Sequence, residues 1–272
     1  MPFDSDLAEE RRRASFKGGG VLFSESVLHG IKTTDIRITN EEGEKALGRA
    51  RGRYLTLSFD TLHLLIREES EHLKNAITGV LAEMLPPFKK ILLLGLGNRY
   101  MCADSIGVLS AEGAMREAED DGVFCLTPGT KGQTGAEASI LTRATAKAVG
   151  ADAVLAIDAL AAKEKERLFR ALEFADTGIS PGTGVGNPSI PINTKEVGVQ
   201  VLAIGIPTVM RANSFLKNAL IRAGEAEKDA EENAKAGEGL FTLPMHFEED
   251  VEAITRILSS AICKAIQRKR GI

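Results

Sequence analysis

Two patterns of apolar and polar positions divide the chain. In the first part, "TDIRIT" (34–39) and "RYLTLSF" (53–59) alternate with period two, which predicts half-buried strands joined by the polar stretch "EEGEKALGR". From about Glu68 to Leu85 the apolar residues return at helical spacing, at Leu73, Ile77, Val80, Leu81 and Met84, and Pro86-Pro87 ends that helix. Beyond Lys89 the pattern changes to short, almost wholly apolar runs: "ILLLGLG", "GVFCL", "AVLAID" and "VQVLAIG". Such runs suit strands of a parallel sheet covered on both faces, because neither face meets water.

Helices fit between these runs, near Ser105 to Ala118, Glu137 to Val149, Lys163 to Ala171 and Ser214 to Gly224. The stretch from Gly224 to Gly239 is polar and rich in Ala, Glu and Lys, so it reads as an exposed helical insertion or a mobile loop. After it, Val251, Ile254, Ile257, Leu258, Ala261, Ile262 and Ala265 form the stripe of an amphipathic helix. At the other end, Asp6 and Glu9 fit a capping box before a short charged helix that "KGGG" (17–20) breaks. The expected organisation is an N-terminal arm over 1–20, outside the core, and a single α/β domain over 21–272 with the insertion near 224–239. The fold class is an α/β sandwich with a mostly parallel sheet and an N-terminal β-rich extension.

Composition narrows the function. At 43% hydrophobic and 26% charged residues the 272-residue chain is that of an ordinary soluble protein. No apolar run approaches the roughly 20 residues of a membrane helix, and "MPFDSDLAEERRR" does not resemble a signal peptide, which points to the cytoplasm. A formal net charge of -4 gives no general pull toward nucleic acid. Cys102, Cys125 and Cys263 are too scattered for a zinc site and too few for a disulfide framework.

Ligands in open parallel sheets gather beyond the carboxyl ends of the strands. Those ends carry Gly95, Gly97, Asn98 and Asp104; Gln133 and Thr134 in "TPGTKGQTG"; Asp158 in "AIDALAA"; and Pro207-Thr208. The loop "ADTGISPGTGVGN" adds Asp176, Gly184 and Asn187. A dinucleotide fingerprint fails, because its third glycine falls at Tyr100, and no Gly-Lys-Ser/Thr follows any strand. The four histidines, His29, His63, His72 and His246, all lie outside the span that holds these strand ends, so a histidine-based triad or metal site within the sheet is disfavoured. Carboxylate chemistry remains: two aspartates sharing a water divide the roles of base and acid, since close like charges push their pKa values apart. The same letters also have a purely structural reading, because an aspartate at a strand end often caps the next helix and Asp176 before Thr-Gly shapes a turn.

Five motifs in order, "GLGNRYMCADSIG", "PGTKGQTGAEAS", "LAIDALAA", "DTGISPGTGVGN" and "AIGIPTV", with "EEGEKALGRARGRYLTL" and "SDLAEE" upstream, resemble the germination proteases of spore-forming bacteria. The resemblance covers most of residues 5 to 210 and the C-terminal helix. It implies an atypical aspartic endopeptidase that degrades small acid-soluble spore proteins during germination, in the forespore and spore core. It further implies a three-layer α/β/α sandwich of the phosphorylase/hydrolase-like kind, similar to hydrogenase-maturation endopeptidases, and a homotetramer, with no cofactor, metal, membrane or nucleic-acid partner.

By motif the catalytic pair falls on Asp104 and Asp158, and Gly97, Asn98, Gln133, Thr134, Asp176, Gly184 and Asn187 become candidate supports. The family removes its own N-terminal segment, which here places a cut between Asp6 and Leu7 and a short propeptide over 1–6. Ser180 stands where the family commonly has histidine, and the chain is shorter than typical members. Two alternatives differ in class. A hydrogenase-maturation-type peptidase would need a second acid where Ser105 stands, and a non-catalytic α/β module would bind a small ligand at the Gly178–Gly186 loop.

Overall fold

The structure is a computed structural model that describes residues 7–9, 19–60, 67–183 and 189–270. In chain order its strands are β1 (Val21–Leu28), β2 (Ile31–Ile38), β3 (Gly52–Ser58), β4 (Ile91–Gly95), β5 (Val123–Leu126), β6 (Ala153–Ala162), β7 (Ala171–Ala175), β8 (Gln200–Arg211) and β9 (Phe241–Thr242). The helices are α1 (Glu41–Leu47), α2 (Arg67–Met84), α3 (Ile106–Ala118), α4 (Lys131–Thr134), α5 (Ala138–Val149), α6 (Thr194–Val197), α7 (Ala212–Arg222), α8 (Glu227–Asn233) and α9 (Phe247–Arg270).

One mixed sheet runs through the molecule in the order β1-β2-β3-β7-β8-β6-β4-β5, with β9 added to the end of β8. The β8-β6-β4-β5 half is parallel, and the β1-β2-β3-β7 half is antiparallel. The N-terminal β-rich extension is therefore joined to the sheet, through β3 against β7. On one face α2, α3 and α9 pack over Leu93, Leu155, Leu202 and Ile204. On the other face Leu92, Leu94, Val154, Ala156 and Ala203 form a second cluster with Ala146 of α5 and Val197 of α6. The result is a three-layer α/β/α sandwich. The apolar runs are explained by this double cover: all five residues of β4 are buried, and so are nine of the ten in β6. Along α9, every residue of the sequence stripe is buried.

Several expectations need correction. The helix expected over Lys163 to Ala171 is replaced by a connection with a 3-10 turn at Lys165–Arg167, leading into β7 at Ala171. Leu168, Ala171 and Leu172 have helical spacing, but Ala171 and Leu172 pair with β3 and the residues after them pair with both β3 and β8, and this overrides local preference. Asp158 and Pro207-Thr208 lie within strands, not at their ends. Asp158 is still at the carboxyl rim relative to β4, whose last paired residue Gly95 sits opposite Ile157. Thr208 is the extra residue of a bulge between Leu160–Pro207 and Ala161–Val209, a position that tolerates proline beside it.

The N-terminal stretch also differs from the arm expected outside the core. Leu7, Ala8 and Glu9 are each fully buried. Leu7 joins the main core cluster and Ala8 joins a third cluster with Ile36, Ile38, Leu47, Tyr54 and Ala175. Asp6 lies outside the described residues. The insertion is helical, as expected, but Ala230, Ala234 and Gly237 are buried, with the α8 region packed on α7. Among the described residues no helix is long and apolar enough to cross a membrane.

Leu155, fully buried at the centre of the parallel half, tests this core. Leu155→Ala is expected to lower unfolding stability by about 2–5 kcal/mol, read as a shift of the urea midpoint at unchanged slope.

Candidate active site at the carboxyl rim of the sheet

The Gly-x-Gly-Asn turn after β4 holds an aspartate. Gly97 has φ 105°, and a Cβ there would lie 2.0 Å from the carbonyl oxygen of Asp104. A Cβ on Gly107 would lie 2.3 Å from the Ile157 carbonyl oxygen and 2.4 Å from that of Leu96. Both glycines let the turn and the first residues of α3 press against the ends of β4 and β6. Between them, Met101 N–H donates to the Asn98 carbonyl at 3.0 Å and Asp104 N–H to the Met101 carbonyl at 2.8 Å, which folds Cys102–Asp104 into a 3-10 turn. This turn contacts β6 and β8.

Side chains tighten the same turn. Asn98 N–H donates to Asp104 Oδ2 at 2.7 Å. Asn98 Oδ1 accepts from Tyr100 N–H at 3.1 Å and from Gln133 Nε2 at 2.9 Å. Gln133 Oε1 in turn accepts from Thr130 N–H at 2.9 Å, closing a capping box at the start of α4. A continuous hydrogen-bonded chain thus links the loop after β5 to the Asp104 carboxylate. Burial raises the Asp104 pKa above the usual carboxylate range, and the Asn98 amide opposes that shift.

Asp158 is buried at 6% exposure on β6, and its Oδ1 accepts the Ala159 N–H at 3.0 Å. In register it stands opposite Gly205 of β8, which stands opposite Glu173 of β7. Paired residues point to the same face, and at Gly205 the place of a side chain is taken by Leu160, whose Cδ1 would lie 2.2 Å from a Cβ there. A cavity of about 320 Å³ lies on this side, lined by Gly205, Leu160, Glu173, Arg49, Tyr54 and Ser180, among others. It adjoins Asp158, although neither Asp104 nor Asp158 lines it.

Of the other candidates, Thr134 accepts the Ala136 N–H and donates to the Thr130 carbonyl, so it shapes its own turn. Asp176 is not part of this site. Its Oδ1 accepts Arg53 N–H at 2.8 Å, and it follows β7, which runs antiparallel to β8 and so ends toward the opposite rim. Gly184 and Asn187 lie outside the described residues. Nor is a cysteine poised as nucleophile: burial raises the Cys102 thiol, and burial with Glu112 pushes Cys125 up to about 11. Among the described residues no three His, Cys, Asp or Glu side chains group as a metal site needs.

Sequence reading missed the buried charges beside the cavity. Arg49 Nη2 donates to Glu173 Oε1 at 2.5 Å, and its guanidinium lies 4.4 Å from the Tyr54 ring centroid. The one available signal was an acid inside the apolar run "ALEFA".

Because Asp104 has a raised pKa, its sign in stability is fixed. Between the ordinary value and the raised one, the folded state binds more protons than the unfolded state, so this group makes stability fall as pH rises through that window. Asp104→Asn is therefore expected to gain stability relative to the parent between about pH 3 and pH 7, checked by urea unfolding at both values. An unchanged or opposite difference would contradict the burial of this carboxyl.

Comparison with known proteins agrees with the motifs. The germination protease family model matches residues 4–255. A germination protease of Clostridium tetani is 32% identical, over 96% of this chain and 92% of its own length. One from Priestia megaterium is 33% identical, over 85% of this chain and 67% of its own. Among solved structures, a nickel–iron hydrogenase maturation protease from Thermococcus kodakarensis aligns with TM-score 0.42 and 17% identity, covering 67% of this chain and 98% of that one. On the family match and these relatives, the chain belongs to the germination protease family.

Proposed function

We propose that this protein is a sequence-specific endopeptidase that begins the degradation of small acid-soluble spore proteins at germination, with Asp104 and Asp158 as an aspartic pair. The observation that carries the reading is the hydrogen-bonded chain from Thr130 through Gln133 and Asn98 to Asp104, which fixes a partly desolvated carboxyl on a turn that contacts β6, the strand of Asp158. In this reading the enzyme is a homotetramer of the spore core. It is made as a precursor that cuts itself between Asp6 and Leu7.

In this reading the roles follow from the environment of Asp104: its burial favours the protonated form, which suits the general acid, and Asp158 is then the base. A water held between them loses a proton to Asp158 as its oxygen bonds to the peptide carbonyl carbon. Collapse of the tetrahedral intermediate breaks the C–N bond, and Asp104 protonates the departing amine. The pair titrates as a unit. The Asn98 N–H is committed to Asp104, so it is not an oxyanion donor. The hydrogenase-maturation alternative is weakened at Ser105, whose hydroxyl donates to the Cys102 carbonyl at 2.8 Å where that reading needs an acid.

The test is incubation of the purified chain with a small acid-soluble spore protein, products read by intact-mass spectrometry. Cleavage is expected at one or two bonds, and Asp104→Asn and Asp158→Asn are each expected to lower turnover by about 100- to 10,000-fold without loss of fold. Cleavage that survives either substitution would sink the aspartate mechanism. Absence of cleavage by the parent, with and without residues 1–6, would sink the substrate.

A further inference from the structure

Immediately after the proposed cut, the chain is held by charged side chains from three other segments, of which Glu173 and Arg167 are buried and Lys32 is partly exposed. Ala8 N–H donates to Glu173 Oε2 at 2.5 Å, and Glu9 Oε1 lies 2.6 Å from Arg167 Nη2 and 3.9 Å from Lys32 Nζ. Arg167 is fixed in turn by Ser58, its Nη1 donating to Oγ at 2.8 Å. Leu7, Ala8 and Glu9 have no exposed surface, and Glu173 has 3%. The carboxylate of Glu173 therefore has one oxygen on the Ala8 amide and the other on Arg49, a wall of the cavity beside Asp158.

Cutting the Asp6–Leu7 bond consumes a water and leaves a carboxylate on Asp6 and an amino group on Leu7, protonated at neutral pH. That creates a cation where the chain is fully buried, and a buried cation requires a partner. Only one residue step, about 3.8 Å between α-carbons, separates Leu7 from the amide that Glu173 already accepts. Arg167 and Lys32 around Glu9 are cations and offer the new group nothing.

We propose that Glu173 is the receiving site for the α-ammonium group of Leu7 in the processed chain. This rests on the cut between Asp6 and Leu7 proposed above. The new ion pair fastens the mature N-terminus to β7, and Glu173 then serves two cations, Leu7 and Arg49. Removal of six residues is in this way coupled to the charge on the cavity wall.

The experiment uses a chain beginning at Leu7, released from a removable fusion partner, which retains every residue described here. Its α-amino group is labelled with an amine-reactive reagent across a pH series and read by peptide mass spectrometry. Burial alone lowers an amine pKa, whereas pairing with a carboxylate raises it. The expected result is a labelling midpoint above the ordinary α-amino range of about 7.7–8.0, at least tenfold slower labelling than in the unfolded chain, and a lower midpoint in Glu173→Gln. If Glu173→Gln does not fold, Glu173→Asp, with the carboxylate withdrawn by one methylene, is expected to lie between. A midpoint at or below the ordinary range, or one indifferent to both substitutions, overturns the proposal. Persistence of Met1 or Pro2 at the N-terminus of the full-length chain would count against the cut alone, since the receiving site is tested on a chain made directly.

Discussion

No side chain can stand at residue 107. The carbonyl oxygens of Leu96 and Ile157 converge on the space a Cβ would fill, so the second residue of α3 can only be a glycine. That close approach sets the height of α3 over the sheet and the path of the chain from Gly97 to Ser105. The turn that carries Asp104 is thus positioned by contact between backbones, which is stiffer than contact between side chains. The hydrogen bonds from Asn98 and Gln133 refine a position the glycines have already determined.

The other half of the sheet is held differently. Where β4, β6 and β8 rely on apolar residues covered on both faces, the junction of β3 and β7 encloses charge: Glu9 with Arg167, and Glu173 with Arg49. Buried pairs of this kind add little net stability compared with apolar residues of similar volume, but losing one partner strands the other and is costly. They specify the seat of the N-terminal segment more than they strengthen it. The small residues Ala175, Ala203 and Gly205 next to these charges leave the cavity, because no large side chain rises from the sheet at those points.

Strands buried on both faces were legible in the sequence, since the apolar runs of β4, β6 and β8 have no other stable home, and so were the half-buried edge strand β5 and the stripe of α9. β1 was not, because nearly all of "VLFSESVL" is exposed and its order comes from backbone pairing with β2 alone. β7 was hidden by Glu173, an acid that breaks the apolar run and whose partner Arg49 lies 124 positions away. Of the candidate residues, Asn98, Asp104 and Gln133 come from two short motifs that the fold brings together, whereas Asp176 shares their loop-like setting but its carboxylate accepts the Arg53 N–H of β3. Local letters disclose a turn; they do not disclose which distant charge will neutralise a buried one.

The sheet order has a further consequence for how the chain is made. β3 pairs with β2 on one side, but its other neighbour is β7, with Tyr54 opposite Ala175. On a ribosome adding about 5–20 residues per second, β3 waits roughly 6–24 s for the strand that will join it to the rest of the sheet. During that interval β1 to β3 amount to a hairpin and one more strand with exposed edges, and the carboxylate that will hold residue 8 has not been synthesised. The N-terminal segment of a nascent chain is thus open to solvent and to other proteins for a period that the finished fold, with Leu7 to Glu9 sealed inside, no longer shows.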